Sequence, residues 1–161
     1  MSYDNSQWIF SLHDYEGKKA FPMKGRLHYV SPKGSAELVA AAIGKEVDMI
    51  KEALPPAYMP ENVILMFLGC EGGKMDKVTM EFIRTLNAKR VNNAALYCCN
   101  AKKDDKAIQQ MKEALTAVGV KVLPNTYVCS GKGLFGGKHP SEEELKGAAK
   151  WAKECAAKVS E

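Results

Sequence analysis

The stretch VILMFL, residues 63–68, holds six apolar side chains in a row. Successive side chains of a strand point to opposite faces, so a half-buried strand alternates apolar and polar positions. An unbroken apolar run of this kind needs cover on both faces. A second such run, AALYCC, follows at 94–99. Between them, residues 76–88 carry Val78, Met80, Phe82, Ile83 and Leu86 at helical spacing. Two doubly buried strands joined by an amphipathic helix form a βαβ unit, which predicts a parallel sheet between two helical layers.

The rest of the chain extends that pattern. A strand is expected at 26–30, and a helix at 35–43 that stops at Gly44 as its C′ residue. A short strand is read at 46–50. The prolines of LPPAYMP, residues 54–60, rule out helix there, since each biases its predecessor away from the α region. Asp104 or Asp105 can cap a helix whose Ile108, Met111, Leu115 and Val118 recur every three or four residues before Gly119. Residues 120–123 and 126–129 flank Pro124, so the last strand is read as interrupted or at a sheet edge. Ser141 and Glu144 form a capping box opening a terminal helix that runs to about 159. The expectation is five strands and about four helices in one domain spanning 25–161, with 1–24 as an extension packed on it.

Composition narrows the function classes. The 161 residues are 46% apolar and 26% charged, as in a globular protein. No apolar run reaches the ~18 residues of a membrane span, so no membrane role is expected. Asp4, His13, Asp14 and Glu16 near the start leave no apolar signal region. Five cysteines, two adjacent, do not suggest a disulfide framework in a chain this long, and a cytoplasmic setting is the simplest one. The net charge of +4 comes from lysines spread along the chain without a basic block, which argues against nucleic-acid binding. No G-x-S-x-G, H-E-x-x-H or P-loop signature is present.

A doubly covered parallel sheet places ligands outside the carboxyl ends of its strands, where strand order reverses. The first strand-to-helix turn reads Ser31, Pro32, Lys33, Gly34, Ser35, Ala36. Gly34 lets the backbone approach an anion, the following amides point out of a helix N-terminus, and Ser31, Ser35 and Lys33 add donors. The same residues also suit a plain strand-to-helix corner with Ser35 as N-cap. A second loop, GCEGGK at 69–74, is rich in glycine, and a third, CCNAKKDD, spans 98–105.

In size, βα order and the placement of these three loops, the chain resembles the flavodoxin family. That resemblance implies a three-layer sandwich with a five-stranded parallel sheet of order 2-1-3-4-5. It implies that Ser31, Lys33, Gly34, Ser35 and Ala36 hold the phosphate of FMN. Glu71, Gly72 and Gly73 would meet the flavin N5 edge, and Cys99, Asn100 and Ala101 would close its far side. The implied function is electron transfer through bound FMN. The alternative is a flavodoxin-like module without cofactor that serves as an interaction or regulatory subunit. Three departures from the family pattern feed that alternative: the two threonines of the phosphate loop are replaced by Lys33 and Ala36, neither ring-side loop carries an aromatic residue, and the expected ligand edge is basic where the family is usually acidic. A ring cover would have to come from Tyr58, from Tyr3, Trp8 or Phe10 of the lead, or from backbone alone. Residues 54–60 are similar to a segment of short flavodoxin-like proteins such as the accessory protein found with bilirubin reductase, which favours a dedicated redox accessory over a general carrier.

Lys33, Lys74, Lys102, Lys103, Lys132 and Lys138 all fall in loops expected at the ligand edge. That basic rim would suit a redox partner with an acidic docking face. Cys70, Cys98, Cys99 and Cys129 are expected at the carboxyl ends of adjacent strands, either as packing or as a thiol or metal site. GKGLFGGK, residues 131–138, has the glycine density of a lid but also suits a strand-to-helix link anchored by Phe135. Trp151 is read as core.

Overall fold

The computed structural model describes residues 24–131 and 140–160. The expectations for the N-terminal lead, for Lys132, Phe135 and Lys138, and for the lid lie outside those residues. The described chain folds as β1 (Gly25–Tyr29), α1 (Ser35–Val47), β2 (Lys51–Ala53), β3 (Val63–Glu71), α2 (Lys77–Arg84), β4 (Val91–Cys99), α3 (Lys106–Ala117), β5 (Lys121–Val122), β6 (Tyr127–Cys129) and α4 (Glu142–Val159). Every strand pair is parallel, in the order β2-β1-β3-β4-β5, with β6 also paired to β4. This is the expected order, and the fifth strand is broken into β5 and β6 around Pro124.

The two apolar runs are the centre of the sheet, and each splits its side chains between two cores. Leu65, Phe67, Ala95 and Tyr97 pack under α1 and α4 with Val39, Ile43 and Trp151. Met66, Leu68, Ala94 and Leu96 face α2 and α3 with Phe82, Ile108 and Met111. Trp151 is core as expected: it meets Phe67 and Tyr97 edge-on, stacks on Tyr127, and donates from Nε1 to the Asn125 carbonyl at 3.2 Å.

Three boundaries differ from expectation, each for a local reason. The first helix does not stop at Gly44 but runs to Val47, with Asp48 in the left-handed region at φ 59° closing it. Gly44 is required for another purpose: a methyl group there would collide with the Met49 carbonyl, where the chain doubles back and the Met49 amide donates to the Gly44 carbonyl at 3.0 Å. Residues 46–50 are therefore helix end and turn, and the short strand begins at Lys51. The helix expected over 76–88 ends at Arg84, although Leu86 beyond it is still buried. Asp76 caps that helix by accepting from the Thr79 amide at 2.8 Å, and the Ser141–Glu144 capping box forms as expected. No helix among the described residues is long and apolar enough to cross a membrane.

Candidate functional site

The parallel sheet sends the loops after β1, β3, β4 and β6 to one edge. Strand register sets their relative height. Tyr29 pairs with Gly69, so Ser31 and Glu71, each two residues further on, lie side by side at the strand ends. Glu71 also pairs with Cys99, and Cys99 with Cys129. Residues from four distant segments thus meet around a cavity of about 170 Å³ lined by Pro32, Lys33, Ser35, Glu71, Gly72, Cys99, Asn100, Ala101 and Gly131.

The β1–α1 turn is an anion nest, and an anion fills it. The Glu71 carboxylate accepts from the Ser31 hydroxyl at 2.5 Å, from the Lys33 amide at 2.7 Å and from the Ala36 amide at 2.8 Å. Ser31 is held for this task, because its Oγ accepts from the Glu37 amide at 2.9 Å. A hydroxyl outside the helix thus satisfies a first-turn N–H, while Glu71 satisfies another and balances the positive end of the helix dipole. Gly34 occupies the N-cap position at φ 91° and offers no side-chain cap, so Ser35 is the first helical residue rather than the N-cap. A side chain at Gly34 would meet no neighbour, but the left-handed backbone disfavours any L-residue there.

The other sequence-derived residues divide in two. Gly72, Cys99, Asn100 and Ala101 line the cavity beside Glu71, whereas Gly73 is exposed and forms none of its wall. Gly72 sits at φ 90° with its amide donating to the Cys99 carbonyl at 3.0 Å, which ties the second loop to the third. The Asn100 side chain is directed into its own loop. Its Nδ2 donates to the Asp104 carbonyl at 2.8 Å, and its Oδ1 accepts from the Asp104 amide at 3.0 Å. Glu144 links this loop to the last one, accepting from the Ser130 amide at 2.8 Å with Lys103 Nζ 3.9 Å away.

Tyr58 does not cover the cavity. Its carbonyl accepts from Arg26 Nη2 at 2.5 Å, and the adjacent Met59 sulfur lies 4.0 Å from Thr85 Oγ1 at the carboxyl end of α2. That helix runs antiparallel to the strands, so this segment belongs to the opposite edge of the sheet. Tyr58 is 82% exposed there.

The cysteines reach the strand ends as expected but do not gather into one cluster, because Cys99 and Cys129 face the core under α1 and α4 while Cys70 and Cys98 face the core under α2 and α3. Cys99 and Cys129 sulfurs lie 2.8 Å apart, and both residues are buried. Burial pushes the Cys98 thiol up to about 12, and burial also raises Cys70 far above the ordinary thiol range. For Cys99 the hydrogen bond with Cys129 is the larger cause of a further rise, with burial second. The thiolate is the nucleophile and metal ligand, so the raised values of Cys70, Cys98 and Cys99 disfavour both roles. No group of three or more potential ligands clusters among the described residues.

Two features of the site were missed from sequence. One is Glu71 as the nest's anion; an acid three residues past the end of the central apolar run, level with a serine past β1, was its only signal. The other is Tyr97, whose buried hydroxyl donates to the Ala36 carbonyl at 2.9 Å and pins the first turn of α1 to β4.

The donor set suits a phosphate in place of the Glu71 carboxylate: a hydroxyl, two amides and a helix N-terminus. The ring end of a flavin fits less well. The cavity is smaller than the ~300–1,000 Å³ usual for ligands of that size, and its described lining carries no aromatic side chain.

No family model matches the chain, and no curated protein does. Solved structures do. A flavodoxin from the domain Archaea superposes with a TM-score of 0.68 at 16% identity, over 85% of this chain and 99% of that one. Oxidised Flavodoxin 2 from Bacillus cereus gives 0.61 at 14% identity, over 83% and 98%. A flavodoxin-like domain from Synechococcus gives 0.55 at 14%, over 84% and 97%. Identities this low speak to architecture alone, and on strand order, helix layers and near-complete mutual coverage this chain has the flavodoxin-like fold.

Proposed function

We propose that this chain binds FMN at the switch point and works as an electron-transfer accessory protein. The observation that carries the reading is the convergence of Ser31, Lys33 and Ala36 donors on one anionic group at the end of β1. Bound there, FMN would supply the one- and two-electron chemistry that no side chain of the site offers. Ser31, Lys33, Gly34, Ser35 and Ala36 would grip its phosphate, Glu71, Gly72 and Gly73 would lie along the N5 side, and Cys99, Asn100 and Ala101 would border the far side. The protein's part is to bind, orient and shield. A second reading, a cofactor-free interaction module, draws support from the carboxylate already seated in the nest and from the absence of a stacking ring in the described lining.

Titration of the purified protein with FMN, followed by quenching of flavin fluorescence, separates the two. Saturable binding that is lost in Gly34→Val is expected, because valine cannot hold the +91° φ that aims the Lys33 and Ala36 amides. Wild-type protein that leaves FMN fluorescence unchanged at all concentrations would transfer the chain to the cofactor-free class.

The partner is proposed to be a redox protein with an acidic docking face. Lys33, Lys74 and Lys102 are exposed on three different loops of the ligand edge. Salt screens such a rim over about 8 Å at physiological ionic strength. Electron transfer with the partner should therefore slow as salt rises, and Lys33→Glu with Lys102→Glu should slow it further. A rate indifferent to both changes would assign the lysines to solubility only.

A further inference from the structure

We propose that Glu71 is an internal competitor for the anion nest, so that a phosphate-bearing ligand enters only by displacing its carboxylate. This rests on the phosphate-site reading above and adds what regulates that site. Three features carry it. The carboxylate takes the Ser31 hydroxyl and the Lys33 and Ala36 amides together, the donors an incoming phosphate would need. Glu71 also forms a wall of the neighbouring cavity, so its departure would join cavity and nest. Finally, Glu71 is followed by Gly72 and Gly73, at neither of which would a methyl group meet any atom within 4 Å, so the loop has open space beside it.

The competition is intramolecular, and its effect follows from population arithmetic. A ligand that binds only the open nest has its dissociation constant multiplied by the inverse of the open fraction. Hydrogen bonds to an ionised acceptor are the stronger kind, and three on one carboxylate keep the open fraction small. The same device is selective. A phosphate monoester dianion brings more charge and a third terminal oxygen, whereas a small carboxylate offers nothing that Glu71 does not already provide. Glu71 thus acts as a specificity-determining residue for dianionic phosphate, the nest staying capped until such a ligand arrives.

The test uses inorganic phosphate as probe and the backbone amide resonances of Lys33 and Ala36 as readout, in wild type, Glu71→Ala and Glu71→Gln. Glutamine preserves the shape but loses the charge, so it serves should the alanine variant fold poorly. Both variants should saturate with phosphate at a concentration lower by at least ~10-fold. In wild type, the Glu71 carboxyl carbon resonance should shift as phosphate saturates. FMN forms the second arm. Tighter phosphate in the variants, with FMN binding no better than phosphate, would sustain the competitor and overturn the flavin reading. Tight FMN binding in wild type, unchanged in both variants, would sustain the flavin reading and overturn the competitor. Variants that take phosphate no more tightly than wild type would also overturn it.

Discussion

Gly69→Ala should destabilise the protein by about 3 kcal/mol or more, at the upper end of overpacking costs. Gly69 pairs directly with Tyr97 across β3 and β4, and a methyl group at Gly69 would fall inside the Tyr97 ring. That ring has no free direction. It is fully buried, Trp151 packs edge-on against it at 6.2 Å, and its hydroxyl is committed to the Ala36 carbonyl. Relief would require moving the ring, and that would pull on the first turn of α1, where Ala36 also supplies an amide to the nest. The strain therefore reaches the site as well as the core. Urea unfolding measures it, and the cause is checked in a Tyr97→Leu background, where the same Gly69→Ala change should cost far less because the ring is gone. A cost within about 0.5 kcal/mol of zero in the wild-type background would refute the steric account.

Stability should also fall as pH drops below neutrality, by about 2 kcal/mol between pH 7 and pH 5, through one histidine. His28 is completely buried in β1, and its pKa is lowered to about 4, first by burial and then by the neighbouring Arg26 guanidinium. Its contacts fix the neutral tautomer. Nε2 lies 3.3 Å from Arg26 Nη1, which can only donate, so Nδ1 carries the proton and donates to the Glu52 carbonyl at 3.1 Å. The Glu52 carboxylate, 3.7 Å from Nδ1 and 3.8 Å from Arg26, favours the protonated ring but does not outweigh the other two. In the unfolded chain the ring titrates near 6.5, so between about 6.5 and 4 the unfolded state binds the extra proton. The contribution of a neutral buried ring is therefore full above about pH 7 and is lost as pH falls through 6.5 toward 4. His28→Gln keeps hydrogen-bonding capacity without titrating, and its stability should vary much less from pH 7 to pH 5. Parallel curves for the two proteins, from thermal or urea unfolding at each pH, would assign the pH dependence elsewhere.

Sequence reading found the architecture because that information is local. Two unbroken apolar runs, VILMFL and AALYCC, require helices on both faces, and helix-period segments between strands force parallel connections. Capping at Ser141 and the break at Pro124 were legible for the same reason, since a cap and a missing N–H act within a few residues. Local information also misled where a glycine served a distant purpose. Gly44 carries the usual mark of a helix stop, yet its role is to admit the returning Met49 backbone.

The site was legible only as a set of loops. That the turn at 31–36 could hold an anion, or be a plain corner, followed from a glycine, two serines and a helix N-terminus, all adjacent in sequence. Which anion it holds did not, because Glu71 lies 40 residues from Ser31 and becomes its neighbour only through the register of β1 against β3. In the same way Tyr97 reaches Ala36 across 61 residues, and Tyr58 is carried to the opposite edge by its bond to Arg26. The sequence by itself thus determined the layers and which loops lie at the carboxyl ends of the strands, and the family resemblance supplied the strand order. Tertiary structure alone decided what those loops hold, because strand register, not proximity along the chain, sets which side chains share a strand end.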